Sequence, residues 1–187
     1  MEDGCAVMIS SRKEANVSRA VEDFRKAGFD ESRLAGMTCH VGKETDRNAL
    51  ISQTVQKMGG IDFLVSNAAA NPHFGNIIEC PEAAWDKIFE TNVKAAFLLT
   101  KSVIPEIQKR GGGSVVYVAS IAGYQSMPGL GAYSVSKTTL LGLAKALSNE
   151  MASDNIRFNC VAPGVVPTKF ASAVIYPFWS TLLFNVL

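Results

Sequence analysis

Tyr133 and Lys137 stand four residues apart in a segment with helical periodicity, so both side chains project from one face and reach a common ligand. A phenol with a pKa of about 10 is only roughly 0.1% ionised at neutral pH. An adjacent ammonium that lowers that pKa by ~2 to 3 units contributes about 3 to 4 kcal/mol and makes Tyr133 a usable acid or base. Ser120 follows the apolar run 114–119, at the carboxyl end of a strand, where open parallel sheets place their ligands. Ser120 then holds a substrate oxygen, Tyr133 exchanges a proton with it, and Lys137 lowers the phenol pKa while donating hydrogen bonds to a cofactor ribose. The implied chemistry is proton transfer coupled to hydride transfer from a nicotinamide. Taken alone, a Tyr-x-x-x-Lys pair is weak and better fits a half-buried tyrosine beside a solvated lysine; the strand-end serine is what turns the pair into a site.

The elements that must position these groups follow from the hydrophobic pattern. Short apolar runs at residues 5–9, 37–41, 61–66, 114–119 and 157–161 alternate with helix-length segments, the signature of βα units and a parallel sheet. Several runs are apolar almost throughout, as strands covered on both faces require. Val17, Ala20, Val21, Phe24 and Ala27 form one helical stripe after the capping candidates Ser10 and Ser11; Leu50, Ile51, Val55 and Met58 form another, stopped by Gly59-Gly60. A helical region over 81–110 is expected to break near Thr91-Asn92 and to end at Gly111-Gly112-Gly113. The last helix is expected over 133–151 with Leu140, Leu141, Ala144 and Leu147 inward. The fold class is α/β, a Rossmann-like doubly wound parallel sheet.

Composition narrows the function classes. The chain has 187 residues, 18 Lys+Arg against 17 Asp+Glu and 48% hydrophobic residues, with no like-charge block to suit a nucleic acid or an anionic membrane. Cys5, Cys39, Cys80 and Cys160 are scattered, and His40 and His73 have no third ligand spaced to join them, so neither a disulfide scaffold nor a metal site is expected. An intracellular, reducing compartment fits, whether cytoplasm, peroxisome or mitochondrion, and the acidic start lacks the features of a secretory signal. Residues 171–187 carry no charge; as a helix these 17 residues would span only about 25 Å at ~1.5 Å per residue, short of a bilayer core, and Pro177 interrupts them.

These residues together resemble the short-chain dehydrogenase/reductase family over nearly everything from Cys5 to Thr168. Ser66-Asn67-Ala68-Ala69 is similar to the family's Asn-Asn-Ala-Gly element, with serine and alanine at its ends. Asn92 in Thr91-Asn92-Val93 matches the family's catalytic asparagine, which positions a water in the proton relay; read as isolated residues, Asn67 and Asn92 serve equally as loop or kink residues. Ser120 and Tyr133-Ser134-Val135-Ser136-Lys137 match its Ser and Tyr-x-x-x-Lys, and the segment 163–168, with Pro163, Gly164, Val166 and Thr168, matches its Pro-Gly stretch near the nicotinamide. The wording Ser-Ser-Arg-Lys, Cys-His-Val-Gly-Lys and Val-Ser-Asn-Ala-Ala resembles the family's dehydrogenase/reductase member 4 branch, NADP-dependent carbonyl reductases and retinol dehydrogenases.

The resemblance implies NADP (NADPH) as cofactor and a small carbonyl or alcohol as substrate. Ser11 and Arg12, with Lys13, offer a hydroxyl and cations suited to an adenosine 2′-phosphate where an acidic residue would select a free ribose, although a helix cap with a solvated first turn uses the same residue types. His40-Val41 stands where many relatives carry Asp-Val beside the adenine. Residues 1–169 are read as a partial NADP-binding domain and 170–187 as an apolar tail unlike the family. The family's first strand, its glycine-rich phosphate turn and its last strand are expected to be missing, as from a truncated or alternatively spliced chain. The family's first strand lies between its second and fourth, so those two either pair directly here or leave two open edges. Two further roles follow from such a chain: a catalytically silent relative that joins full-length subunits through the two long helices, and, less in keeping with the tail's length, a tail-anchored form.

Overall fold

The computed structural model describes residues 4–166, so Thr168 and the apolar tail lie outside the described residues. In chain order the elements are β1 (Val7–Ser11), α1 (Glu14–Lys26), β2 (Leu34–Thr38), α2 (Glu44–Met58), β3 (Phe63–Ser66), α3 (Glu82–Phe89), α4 (Ala95–Lys109), β4 (Gly113–Val118), α5 (Gly131–Glu150) and β5 (Ile156–Val161). All strand pairs are parallel, as the βα alternation requires: β1 pairs with β2 from Val7↔Leu34 to Ser11↔Thr38, and β4 lies between β3 and β5.

Among the described residues β1 and β3 do not pair, so the sheet falls into a two-stranded and a three-stranded part, with β1 and β3 each left as an edge strand. Helix α2 spans the division, packing on β1 and β2 and against α4. The core sits on β3–β5 under α4 and α5, where Val103, Ile107, Val115, Tyr117, Leu140, Ala144, Ile156 and Phe158 belong to one buried cluster. Leu64 joins that core, and by strand alternation its neighbours Phe63 and Val65 face the other way, 59% and 62% exposed.

Two expected boundaries are corrected. The second strand begins at Leu34 rather than residue 37, because Gly36 is a strand residue with a packing task. A Cβ there would meet Val17 Cγ1 at 2.5 Å and Val21 Cγ2 at 2.9 Å, so the missing side chain lets α1 lie directly on β2. The expected break near Thr91-Asn92 is a π-helical turn, Glu90–Lys94, inserted without interruption between α3 and α4; one extra residue per turn rotates Thr91 and Asn92 into the interior. Serine capping of α1 is also not as expected: the N-cap is Lys13, while Ser11 ends β1 and its Oγ accepts from the Lys13 N–H at 3.5 Å. Gly59 ends α2 in the left-handed conformation, as its position after the apolar stripe predicts.

Candidate active site

The carboxyl ends of β1, β3 and β4 open into one cleft of about 740 Å³. It is lined by Ser11 and Arg12 after β1, His40 and Val41 after β2, Asn67 and Ala68 after β3, Ser120 after β4, Tyr133 and Lys137 from α5, and Pro163, Gly164 and Val166 after β5. The expected cofactor and catalytic residues in the described part border this cleft except Lys13, which lies outside its lining, and Asn92, which is 1% exposed and lies behind its wall.

Ser120 is set by the turn it begins. Its Oγ accepts the Ala122 N–H at 3.1 Å, which caps the 3-10 turn Ile121–Gly123 and leaves the hydroxyl proton to point elsewhere. That turn is docked on α5: Thr138 Oγ1 donates to the Gly123 carbonyl at 2.8 Å, and a Cβ on Gly123 would stand 3.0 Å from the Lys137 carbonyl carbon. The close approach brings the Ser120 hydroxyl to Tyr133, with which it shares a hydrogen bond.

Lys137 is 2% exposed, its Nζ 5.6 Å from the centre of the Tyr133 ring and donating to the Val118 carbonyl at 2.6 Å. Burial pushes its pKa down to about 8, against a weaker upward pull from Cys160. The expectation that Lys137 draws the phenol pKa downward is reversed: burial raises Tyr133 above its ordinary value, and the hydrogen bond with Ser120 opposes the rise without cancelling it. The ammonium is turned to a strand carbonyl, and the cost of an unsolvated phenolate decides the direction.

Asn92 fastens the far wall. Its Oδ1 accepts the Ala70 N–H at 2.7 Å, and its Nδ2 donates to the Ala70 carbonyl at 3.1 Å and to Ser136 Oγ at 2.9 Å. Ala70, Ser136 and the Val118 carbonyl are site components that residue-type reasoning missed. Only Ser136 carried a signal, a serine one turn after Tyr133 and beside Lys137 on an inward helical face.

At the β1–β2 end, the first turn of α2 holds the loop that carries His40 and Val41. Asp46 Oδ2 accepts the His40 N–H at 2.9 Å, which holds its carboxyl below the ordinary range, and buried Arg47 donates from Nη1 to the Val41 carbonyl at 2.8 Å. Arg12 is exposed and, among the described residues, belongs to none of the ion pairs, so its cation is available to an anionic ligand. Asn71 Oδ1, also on the cleft, is buried without a partner. A cleft with a free cation at one end, an unsatisfied amide in its wall and paired hydroxyls near a buried lysine fits an elongated, anionic dinucleotide.

A parallel sheet with Ser, Tyr and Lys at its carboxyl edge defines a dehydrogenase class, and the short chain dehydrogenase family model matches residues 1–175, so the chain belongs to that family. It is 52% identical over 170 residues to dehydrogenase/reductase SDR family member 4 of Bos taurus and, over the same length, to that of Homo sapiens. Each match covers 91% of this chain and 60% of the relative, so the chain spans about three-fifths of those proteins. The Caenorhabditis elegans member 4 protein is 44% identical over 174 residues, 93% of this chain and 66% of its own length. Among solved structures, a 7 alpha-hydroxysteroid dehydrogenase complexed with NADH and 7-oxo glycochenodeoxycholic acid aligns with a TM-score of 0.86 at 26% identity. That alignment covers 97% of this chain and 69% of that one.

Proposed function

We propose that this chain carries the site of an NADPH-dependent carbonyl reductase acting on ketones and aldehydes, retinal among them. The observation that carries the reading is the hydrogen-bonded pair of Ser120 and Tyr133 in the cleft, with Lys137 buried beside the phenol ring. When bound, NADPH supplies the hydride that adds to the carbonyl carbon. Ser120 and Tyr133 hold the carbonyl oxygen, and Tyr133 gives it a proton to complete the alcohol. The raised phenol pKa keeps Tyr133 protonated at neutral pH, the state a donor needs. Lys137, with a pKa of about 8, is mostly protonated there and would donate to the cofactor ribose.

Arg12 and Ser11 would hold the adenosine 2′-phosphate, with His40 and Val41 beside the adenine and Asn67, Ala68, Pro163, Gly164 and Val166 along the remaining wall. The member 4 relatives support the dehydrogenase/reductase part of this reading. The four cysteines are free, which supports a reducing compartment.

Fluorescence titration tests the cofactor assignment. Arg12→Ala should weaken NADPH about tenfold, the equivalent of one charge-assisted contact, and leave NADH unchanged. Equal losses for both nucleotides, or no NADPH binding by the parent chain, would refute it.

A further inference from the structure

The hydrogen bonds of Ser136 join parts of the site that are distant in sequence. Ser136 is 0% exposed, and its Oγ donates to the Tyr133 carbonyl at 2.6 Å while accepting from Asn92 Nδ2 at 2.9 Å. A hydroxyl has one proton, so donation to Tyr133 obliges Ser136 to accept from Asn92. That fixes the orientation of the Asn92 carboxamide: both Nδ2 protons are committed, to Ser136 and to the Ala70 carbonyl, and Oδ1 is left to receive the Ala70 N–H. The chain of bonds runs from the backbone at Ala70, through the π-helical turn, into the first turns of α5 at Tyr133. It spans 22 residues on one side of Asn92 and 44 on the other.

We infer that Ser136 is a positioning residue, which through Asn92 locks the α5 turn bearing Tyr133 to the Ala70 wall of the cleft and so holds the phenol in register with Ser120. The inference rests on the carbonyl-reductase reading for its catalytic consequence, while the link itself is independent of turnover. The amide orientation matters because a buried carboxamide that loses one acceptor must either leave an N–H unsatisfied or rotate away from Ala70. Either response frees the Tyr133 turn to shift while leaving in place the groups that line the cofactor end of the cleft. Ser136 therefore acts on the chemical step and not on cofactor binding.

The test compares Ser136→Ala, Ser136→Cys, Asn92→Ala, the Ser136→Ala/Asn92→Ala pair and Tyr133→Phe. Cysteine preserves the packing with much weaker hydrogen bonding, so it reports on the bond if the alanine variant is poorly folded. Both Ser136 variants should lower kcat about three- to tenfold with the KM for NADPH within about twofold of the parent, the size of one lost hydrogen bond. The double variant should be no slower than Asn92→Ala, because Ser136 works through that amide. Hydrogen exchange at the Ala70 amide should quicken in both Ser136 variants while the amides of β1 and β2 keep their parent rates. Unchanged Ala70 exchange overturns the link whatever the turnover, and unchanged kcat alongside an inactive Tyr133→Phe overturns the positioning role while sparing the catalytic reading. An active Tyr133→Phe overturns the catalytic reading itself.

Discussion

Replacing Lys137 by Met should alter how stability depends on pH in a window set by the buried amine. In the unfolded chain the amine keeps its ordinary pKa of 10.5, and in the folded protein burial lowers it to about 8. Between those values the unfolded state holds a proton that the folded state has released, so unfolding takes up a proton and stability rises with pH. The contribution is complete above the unfolded pKa and is lost as pH falls through about 8. At about 1.36 kcal/mol per pH unit, that gap amounts to about 3 kcal/mol, undiminished by solvent because the side chain is 2% exposed.

Urea unfolding of the parent and Lys137→Met across this window should therefore give a stability difference that moves in the parent's favour by about 3 kcal/mol as pH rises. Cys39, Tyr117 and Tyr133, all raised by burial, pull the opposite way in each protein and largely cancel in the difference. Cys160 titrates against Lys137 and does not cancel, so both proteins should carry Cys160→Ala. A difference that stays flat, or moves against the parent, would refute the buried-amine argument.

Gly36→Ala should destabilise the domain by about 1 to 3 kcal/mol, because the new methyl enters the space of Val17 and Val21; urea midpoints measure it, and Val17→Ala in the same chain should restore part of the loss. Thr100→Val should cost about 1 to 3 kcal/mol by removing the 2.8 Å partner of the wholly buried Tyr117 hydroxyl, whereas Thr100→Val with Tyr117→Phe should lie closer to the parent in thermal melts.

Much of this arrangement was legible before any coordinates. Five apolar runs gave five strands because a strand buried in a parallel sheet has little choice but to be apolar, and Gly59 marked its helix end because the left-handed cap favours glycine. Ser120, Tyr133 and Lys137 were found as a set because strand-end and helix-face positions are local properties of spacing. What spacing cannot carry is the outcome of long-range approach. The second apolar run starts at residue 37, whereas β2 already includes Gly36, a place that only the packed α1 explains. Asn92 looked like a helix break since a π-helical turn and an interruption share the same residue types, and its partners lie far along the chain. The Lys137 pKa was misjudged in its effect on Tyr133 because proximity was visible in the spacing and desolvation was not.

The claim at the centre of this account is that Tyr133, held by Ser120, gives the proton in carbonyl reduction. Its most direct test is single-turnover NADPH oxidation by the purified chain with a ketone or aldehyde, for the parent and Tyr133→Phe, at matched saturation with NADPH. The parent should consume NADPH, and Tyr133→Phe should lose about 100-fold or more with NADPH affinity within a few-fold of the parent, the range expected for deleting a general acid. Turnover in Tyr133→Phe within about threefold of the parent would contradict that claim.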